Sequence, residues 1–292
     1  MKVADIVTER IVTMLEEGTA PWAKPWSANC QPMRYSGQPY RGINSVLLQS
    51  SKYASTIWLT GRMIVDNGGQ KKDGEVAGGI AVFYNYPTKA QRDAGKRPFM
   101  RYYSVYNYDQ TEGVPLPEWY SAPREFTPIE SAAAIIANMP QLPEITHGGD
   151  RAYYRPSSDS VQLPTPESFT TPTDYYSVAF HELAHSTGHE SRIDRELDTN
   201  FGKEPYSKEE LIAELAASML CAEIGINSDT SERQSAAYLK GWITKLKGDT
   251  SLIAAAASAA QRAADYIAGL SQAEAQPEAE AQPEAEAQAE SA

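Results

Sequence analysis

The sequence predicts an α+β protein built as two domains, a mixed α/β body over residues 1–125 and a mainly helical body over 126–270, followed by an acidic tail at 271–292. Three observations carry this. A chain of 292 residues is long enough for two domains that each bury a core. Strand-like segments gather in the first half, whereas long patterns of helical period dominate the second. Charge divides at the same place: residues 1–125 carry 15 Lys and Arg against 12 Asp and Glu, and residues 126–292 carry 11 against 26.

Each element has its own signal. Val3, Val7, Ile11 and Leu15 recur at helical spacing, so the chain opens with a helix that ends near Gly18. In "TAPWAKPW", Pro21 and Pro25 stiffen a loop that presents Trp22 and Trp26. "YRGINSVLLQSSKYASTIWLTGRM" contains a helical pattern, Asn67-Gly68-Gly69 marks a turn, and Lys71-Lys72 makes a basic loop. "GGIAVFYNYP" and "FMRYYSVYNYDQTEG", dense in β-branched and aromatic residues, predict two strands. The Pro-rich "GVPLPEWYSAPREFTP" reads as a linker near 113–128, and "IESAAAIIANMP" as the helix that opens the second domain. Short extended pieces in "YYRPSSDSVQLPTPESF" precede four helices, of which the last two, "SERQSAAYLKGWITKLKGD" and "SLIAAAASAAQRAADYIAGL", have Ala-rich faces suited to close contact.

Composition excludes several classes. No run of about 18 apolar residues exists to cross a bilayer, so no membrane partner is expected. The start "MKVADIVTERIVTMLEEG" lacks the sections of a secretory signal, and the two cysteines, Cys30 and Cys221, do not make a disulfide framework. A cytoplasmic location is the expectation. The repeat "SQAEAQPEAEAQPEAEAQAESA" has no large apolar side chain to order it against a core, which predicts a disordered acidic tail.

Chemistry concentrates in "YYSVAFHELAHSTGHESR". A helix beginning after Pro172, capped by Thr173 or Asp174 and ended by Gly188, places His181 and His185 one turn apart on one face. Two imidazoles that project from one side of a rigid element can converge on a zinc ion. Glu182, on the adjoining face, sits where a base can serve water in the open position. Four histidines occur in the chain, and three of them fall at 181, 185 and 189. His189 on a continuing helix would lie about 12 Å along the axis from His181, too distant to share an ion. The third ligand is expected from "YSKEELIAELAASMLCAEIG", where Glu210 and Glu214 share a face. Ser207-x-x-Glu210 also fits a capping box, which would leave Glu214 as the ligand. Imidazole and carboxylate accept Mn2+, Co2+ or Ni2+ in place of Zn2+.

Taken together, "LEEGTAPWAKPW", "YRGIN", "WLTGRM", "YNYDQTEG", "YYRPSSDSVQLP", "HELAHSTGHESRIDR", "EELIAELAASMLCAEIG" and "AAAASAAQRAADYI" resemble the successive motifs of ArdC-type antirestriction proteins, in order over about residues 5–268. The module resembles the N-terminal part of TraC-type plasmid primases as well. The resemblance implies an N-terminal single-stranded-DNA-binding domain and a C-terminal zincin-like metallopeptidase domain in a protein that travels with plasmids or phages and shields incoming DNA from host restriction. Its gluzincin arrangement implies that Glu210 binds metal and that a second acid, Glu214, steadies a ligating histidine. The sequence departs from the family at Lys71-Lys72-Asp73-Gly74-Glu75, where members often have a more basic stretch.

The residues themselves suit single strands. Unpaired bases stack on aromatic rings while Lys and Arg track phosphates. Trp22, Trp26, Tyr40 and Trp58, interleaved with Lys24, Arg34, Arg41, Arg62, Lys71 and Lys72, supply both ingredients. The expected activity is therefore metal-assisted hydrolysis of a peptide bond in an unidentified protein, a host restriction component among the candidates. The rival is a DNA-binding shield whose metal site is structural or regulatory.

Overall fold

The computed structural model describes residues 2–22, 31–49, 51, 53–85, 95, 99–120, 128–195, 197, 207–226 and 236–270. Helix α1 (Val3–Glu16) forms as its periodicity requires and buries Val7, Ile11, Val12 and Leu15 along one face. Gly18, at φ +87°, takes the left-handed conformation that ends it.

The N-terminal body is a four-stranded sheet in the order β1 (Met33–Arg34), β2 (Ile57–Leu59), β5 (Phe99–Asn107), β4 (Gly79–Asn85). The two long strands are antiparallel, with Ala81 opposite Tyr103. Because β4 is an edge strand, its backbone needs another partner. Helix α2 (Ile43–Gln49) provides one: the Asn44 amide accepts from Val82 N at 2.6 Å and donates to Val82 O at 2.7 Å. Helix α3 (Gly61–Asp66) and the ribbon of β3 (Gln70–Lys71) with β6 (Thr111–Glu112) complete this body. Part of the expected linker packs back onto it, with Val114 buried beside Leu59 and Ile64, and the Trp119 indole donating to Tyr35 O at 2.8 Å. Residues 121–127 lie outside the described residues.

The C-terminal body has helix α4 (Pro128–Asn138) and a small sheet in the order β7 (Glu144–His147), β9 (Ser160–Leu163), β8 (Tyr153–Arg155). Helices α5 (Pro172–Ser186), α6 (Lys208–Glu223), α7 (Ala236–Gly248) and α8 (Leu252–Ile267) follow. The cap of α5 differs from expectation. Thr171 is the N-cap, accepting from Asp174 N while Asp174 reaches back to Thr171 N, and Pro172 occupies the first turn, where its missing N–H costs nothing. The Ala-rich expectation is met: Ala256, Ala257, Ala260, Ala263 and Ala264 of α8 are buried beside Ala213, Ala216 and Ala217 of α6 in one cluster. Replacing Ala260 by Leu is expected to cost about 1–3 kcal/mol by overpacking, read as a lower melting temperature, and an unchanged melt would show that the helices are not close-packed there.

One apolar cluster runs from Val7 and Leu15 through Trp22 to Trp242, Leu246 and Ile267. Helix α1 therefore packs with α7 and α8 although the sequence assigns it to the other body. Among the described residues no helix is long and apolar enough to cross a membrane.

Candidate metal centre and nucleic-acid face

Helix α5 buries Phe180, Leu183 and Ala184 in the core, which fixes its rotation and turns His181 and His185 toward the start of α6. Ser207 caps α6 by accepting from Glu210 N at 3.1 Å, and this first turn is where the acids meet the imidazoles. The Nε2 atoms of His181 and His185 are 3.1 Å apart, with the rings edge to face at 86°. Glu210 reaches both: Oε2 is 3.6 Å from His181 Nε2, and Oε1 is 3.6 Å from His185 Nε2. Ligand atoms of these three residues lie within 4.8 Å of one another. Bonds of about 2.0–2.1 Å at tetrahedral angles separate neighbouring donors by about 3.3 Å, so the spacing fits a divalent ion.

The alternatives left open by the sequence are thereby narrowed in geometry. Glu210 joins the imidazoles even though its backbone N–H is capped by Ser207, while Glu214 lies one turn further along α6, outside this triangle and 7% exposed. Glu182, between the two histidines, is buried at 8% exposure. His189 is outside the triangle too: α5 ends at Ser186, and His189 Nδ1 contacts Ser191 Oγ at 2.8 Å in the following turn. Tyr175 is engaged with His147, whose Nε2 lies 2.9 Å from its hydroxyl, which fits packing at the base of the helix.

Two residues were missed from the sequence. Glu209 Oε1 lies 3.4 Å from His185 Nδ1, and Arg195 Nη2 donates to the same carboxylate oxygen at 2.7 Å. Burial works to raise the Glu209 pKa, yet hydrogen bonds to His185 and Arg195, with their charges, hold it below the usual carboxylate value. The signal available was the acid pair Glu209-Glu210 in one first turn, where consecutive side chains point in different directions.

The nucleic-acid assignments need more correction. Trp22 is 1% exposed; its indole donates to the Tyr238 hydroxyl at 3.0 Å and meets Trp242 edge to face, so its ring fills the junction with α7. Trp58 and Tyr40 are buried together against the sheet, where a large apolar ring is better placed than in water. Arg41 is ion-paired with the buried Asp265 of α8, a carboxylate that requires such a partner. Lys24 and Trp26 lie outside the described residues. Of the other cations, Arg62, Lys71 and Lys72 are exposed and Arg34 is half-buried. Arg34 lies 4.7 Å over the Tyr40 ring, Arg62 pairs with Asp66 at 3.4 Å, Lys71 sits 4.9 Å from the Tyr106 ring, and Lys72 donates to Asp109 O at 2.7 Å. Among the described residues before 128, exposed rings that the sequence did not single out are Phe99, Tyr102, Trp119 and Tyr120.

Comparison with known proteins places both bodies. Residues 1–106 match the N-terminal domain of the anti-restriction factor ArdC, and residues 130–259 match a zincin-like metallopeptidase family. Crystal structures of the antirestriction ArdC protein from plasmid R388, one metal-free and one Mn(II)-bound, superpose with a TM-score of 0.73 for each. They share 34% and 35% identity with this chain and cover 94% of it and 98% of their own length. An uncharacterised Sinorhizobium fredii protein, y4eC, is 34% identical over 89% of this chain and 90% of its own. Two Escherichia coli DNA primases TraC are 35% and 34% identical over 93% of this chain, which spans only 27% and 20% of their lengths. With an α+β fold of a sheet-bearing N-terminal body and a helical zincin-like body, this chain belongs to the ArdC antirestriction family.

Proposed function

We propose that this chain is a cytoplasmic antirestriction protein that holds single-stranded DNA with its N-terminal body and hydrolyses a peptide bond in a protein substrate, such as a host restriction component, at the His181, His185 and Glu210 site. The convergence of those three side chains carries the reading. Zn2+ is the metal that this donor set and the H-E-x-x-H helix suit, and Mn2+, the ion in the Mn(II)-bound ArdC structure, is an accepted substitute. A bound divalent ion supplies Lewis acidity and lowers the pKa of water. Glu182 takes the proton at its carboxylate and returns it to the leaving amine. His181, His185 and Glu210 bind and orient. The Glu182→Gln variant tests this, since it leaves the three ligands intact: metal uptake stays as in the wild type while peptidase turnover falls about 10^2–10^4-fold. Protection of transferred DNA is expected to fall with it. Protection that persists unchanged would favour a DNA-binding shield with a structural or regulatory metal.

Exposed Phe99 and Tyr102 on β5, with Trp119 and Tyr120, are the rings available for stacking, and Arg34, Arg62, Lys71 and Lys72 the cations for phosphates. Tyr102→Ala is expected to weaken binding of a short oligonucleotide by about 1–3 kcal/mol, in an affinity that declines as salt rises. Equal affinity for both proteins in a fluorescence titration at moderate salt would remove Tyr102 from the face.

A further inference from the structure

The metal centre proposed above raises a question about what holds its ligands ready. An imidazole can bind an ion through Nε2 only if that nitrogen carries its lone pair, so the proton must sit on Nδ1 and the ring must be aimed. His185 Nδ1 lies 3.4 Å from Glu209 Oε1. A carboxylate accepts hydrogen bonds and does not donate them, so this contact calls for the Nδ1–H tautomer. The other ring nitrogen, Nε2, then faces His181 and Glu210 with its lone pair.

Glu209 is itself held. Arg195 donates from Nη2 to Oε1 at 2.7 Å and from Nε to Oε2 at 3.3 Å, a two-point grip on the carboxylate. The same guanidinium donates to Ala184 O at 2.9 Å and to Thr187 Oγ1 at 2.5 Å, at the C-terminal end of the helix that carries His185. Side-chain exposures of 4% for His185, 14% for Glu209 and 11% for Arg195 keep solvent from substituting for these bonds. Consecutive acids on α6 thus divide the work. Glu210 addresses the Nε2 atoms and Glu209 the far side of the His185 ring.

We propose that Glu209 is a positioning residue for the metal centre: it fixes the tautomer and orientation of His185, and Arg195 anchors it to the end of α5. This assignment rests on the metal reading and adds Glu209 beside Glu214, the acid that the resemblance implies steadies a ligating histidine.

Titration of the metal-free full chain with Co2+ tests it, because the visible spectrum of the ion reports coordination as well as occupancy. E209A is expected to bind Co2+ about 10–100-fold more weakly than the wild type, with the wild-type band pattern at saturation and a metal-free melting temperature close to that of the parent. E209Q keeps an acceptor for the Nδ1 proton and recovers most of the affinity. Arg195→Ala, which frees the carboxylate, falls between, and it serves alone if the alanine variant at 209 does not fold. Wild-type affinity in E209A, or in Arg195→Ala where that variant stands alone, overturns the assignment. So do E209A and E209Q spectra that change as that of E210A does, since Glu209 would then be a ligand. A wild-type chain that takes up no Co2+ overturns the metal centre and this assignment with it.

Discussion

Trp22→Ala lowers the stability of the chain by about 3–5 kcal/mol, the range for removing a large buried aromatic side chain. The ring is 1% exposed, stands 5.8 Å from Trp242 at an interplanar angle of 82°, and donates to Tyr238, so its removal opens a cavity and takes one donor from the Tyr238 hydroxyl. Trp22→Phe retains most of the packing and loses the hydrogen bond, worth about 1 kcal/mol. Denaturant midpoints measure both. A Trp22→Ala midpoint equal to that of the parent, together with lost oligonucleotide binding, would return Trp22 to the surface role that its proline-flanked loop suggests.

Asp159→Ala is the second large effect. Arg192, with a side chain only 1% exposed, donates to both oxygens of Asp159 at 2.7 and 2.9 Å, to Ser186 O at the end of α5 and to Gln141 O. Tyr154 donates its hydroxyl to Asp159 Oδ1 at 2.9 Å, and burial together with that carboxylate raises the tyrosine pKa. Removing the acid leaves a guanidinium buried without its counterion, which costs about 3–5 kcal/mol. Exposure of 31% at Asp159 places the expectation at the lower end. The dependence on pH has a definite sign. Burial works to raise the Asp159 pKa, but hydrogen bonds from Arg192 and Tyr154, then the charges of Arg192 and His189, bring it below the ordinary value. A folded pKa lower than the unfolded one contributes stability above about pH 3.9 and loses it as pH falls through the folded value. The stability difference between parent and variant should therefore be constant near neutrality and shrink in acid. A difference that grows below pH 4 would contradict the pairing.

Much of this was legible from side-chain pattern. Helices α1, α5, α6 and α8 and the long strands β4 and β5 follow periodicity and β-branched content, since these are local properties of the chain. His181 and His185 were readable because helical spacing fixes where they point. Glu210 needed a second helix, so the sequence could offer it only beside Glu214. Arg195 was illegible, because it lies past the turn that follows α5 and only the crossing of α5 and α6 joins it to Glu209, whose own signal was no more than its place beside Glu210. The rings at 22, 40 and 58 failed for the opposite reason. Tryptophan and tyrosine suit a base stack and an apolar interior equally, and only the tertiary packing decides which they meet.

The helix that opens the chain has a bearing on how such proteins can be inherited. A recombination that carried away residues 130–259 alone would leave the acceptor with a bare stripe along α7 where Val7, Ile11 and Leu15 had been seated. The two bodies are therefore expected to be kept together, and the TraC primases match 93% of this chain within much longer polypeptides.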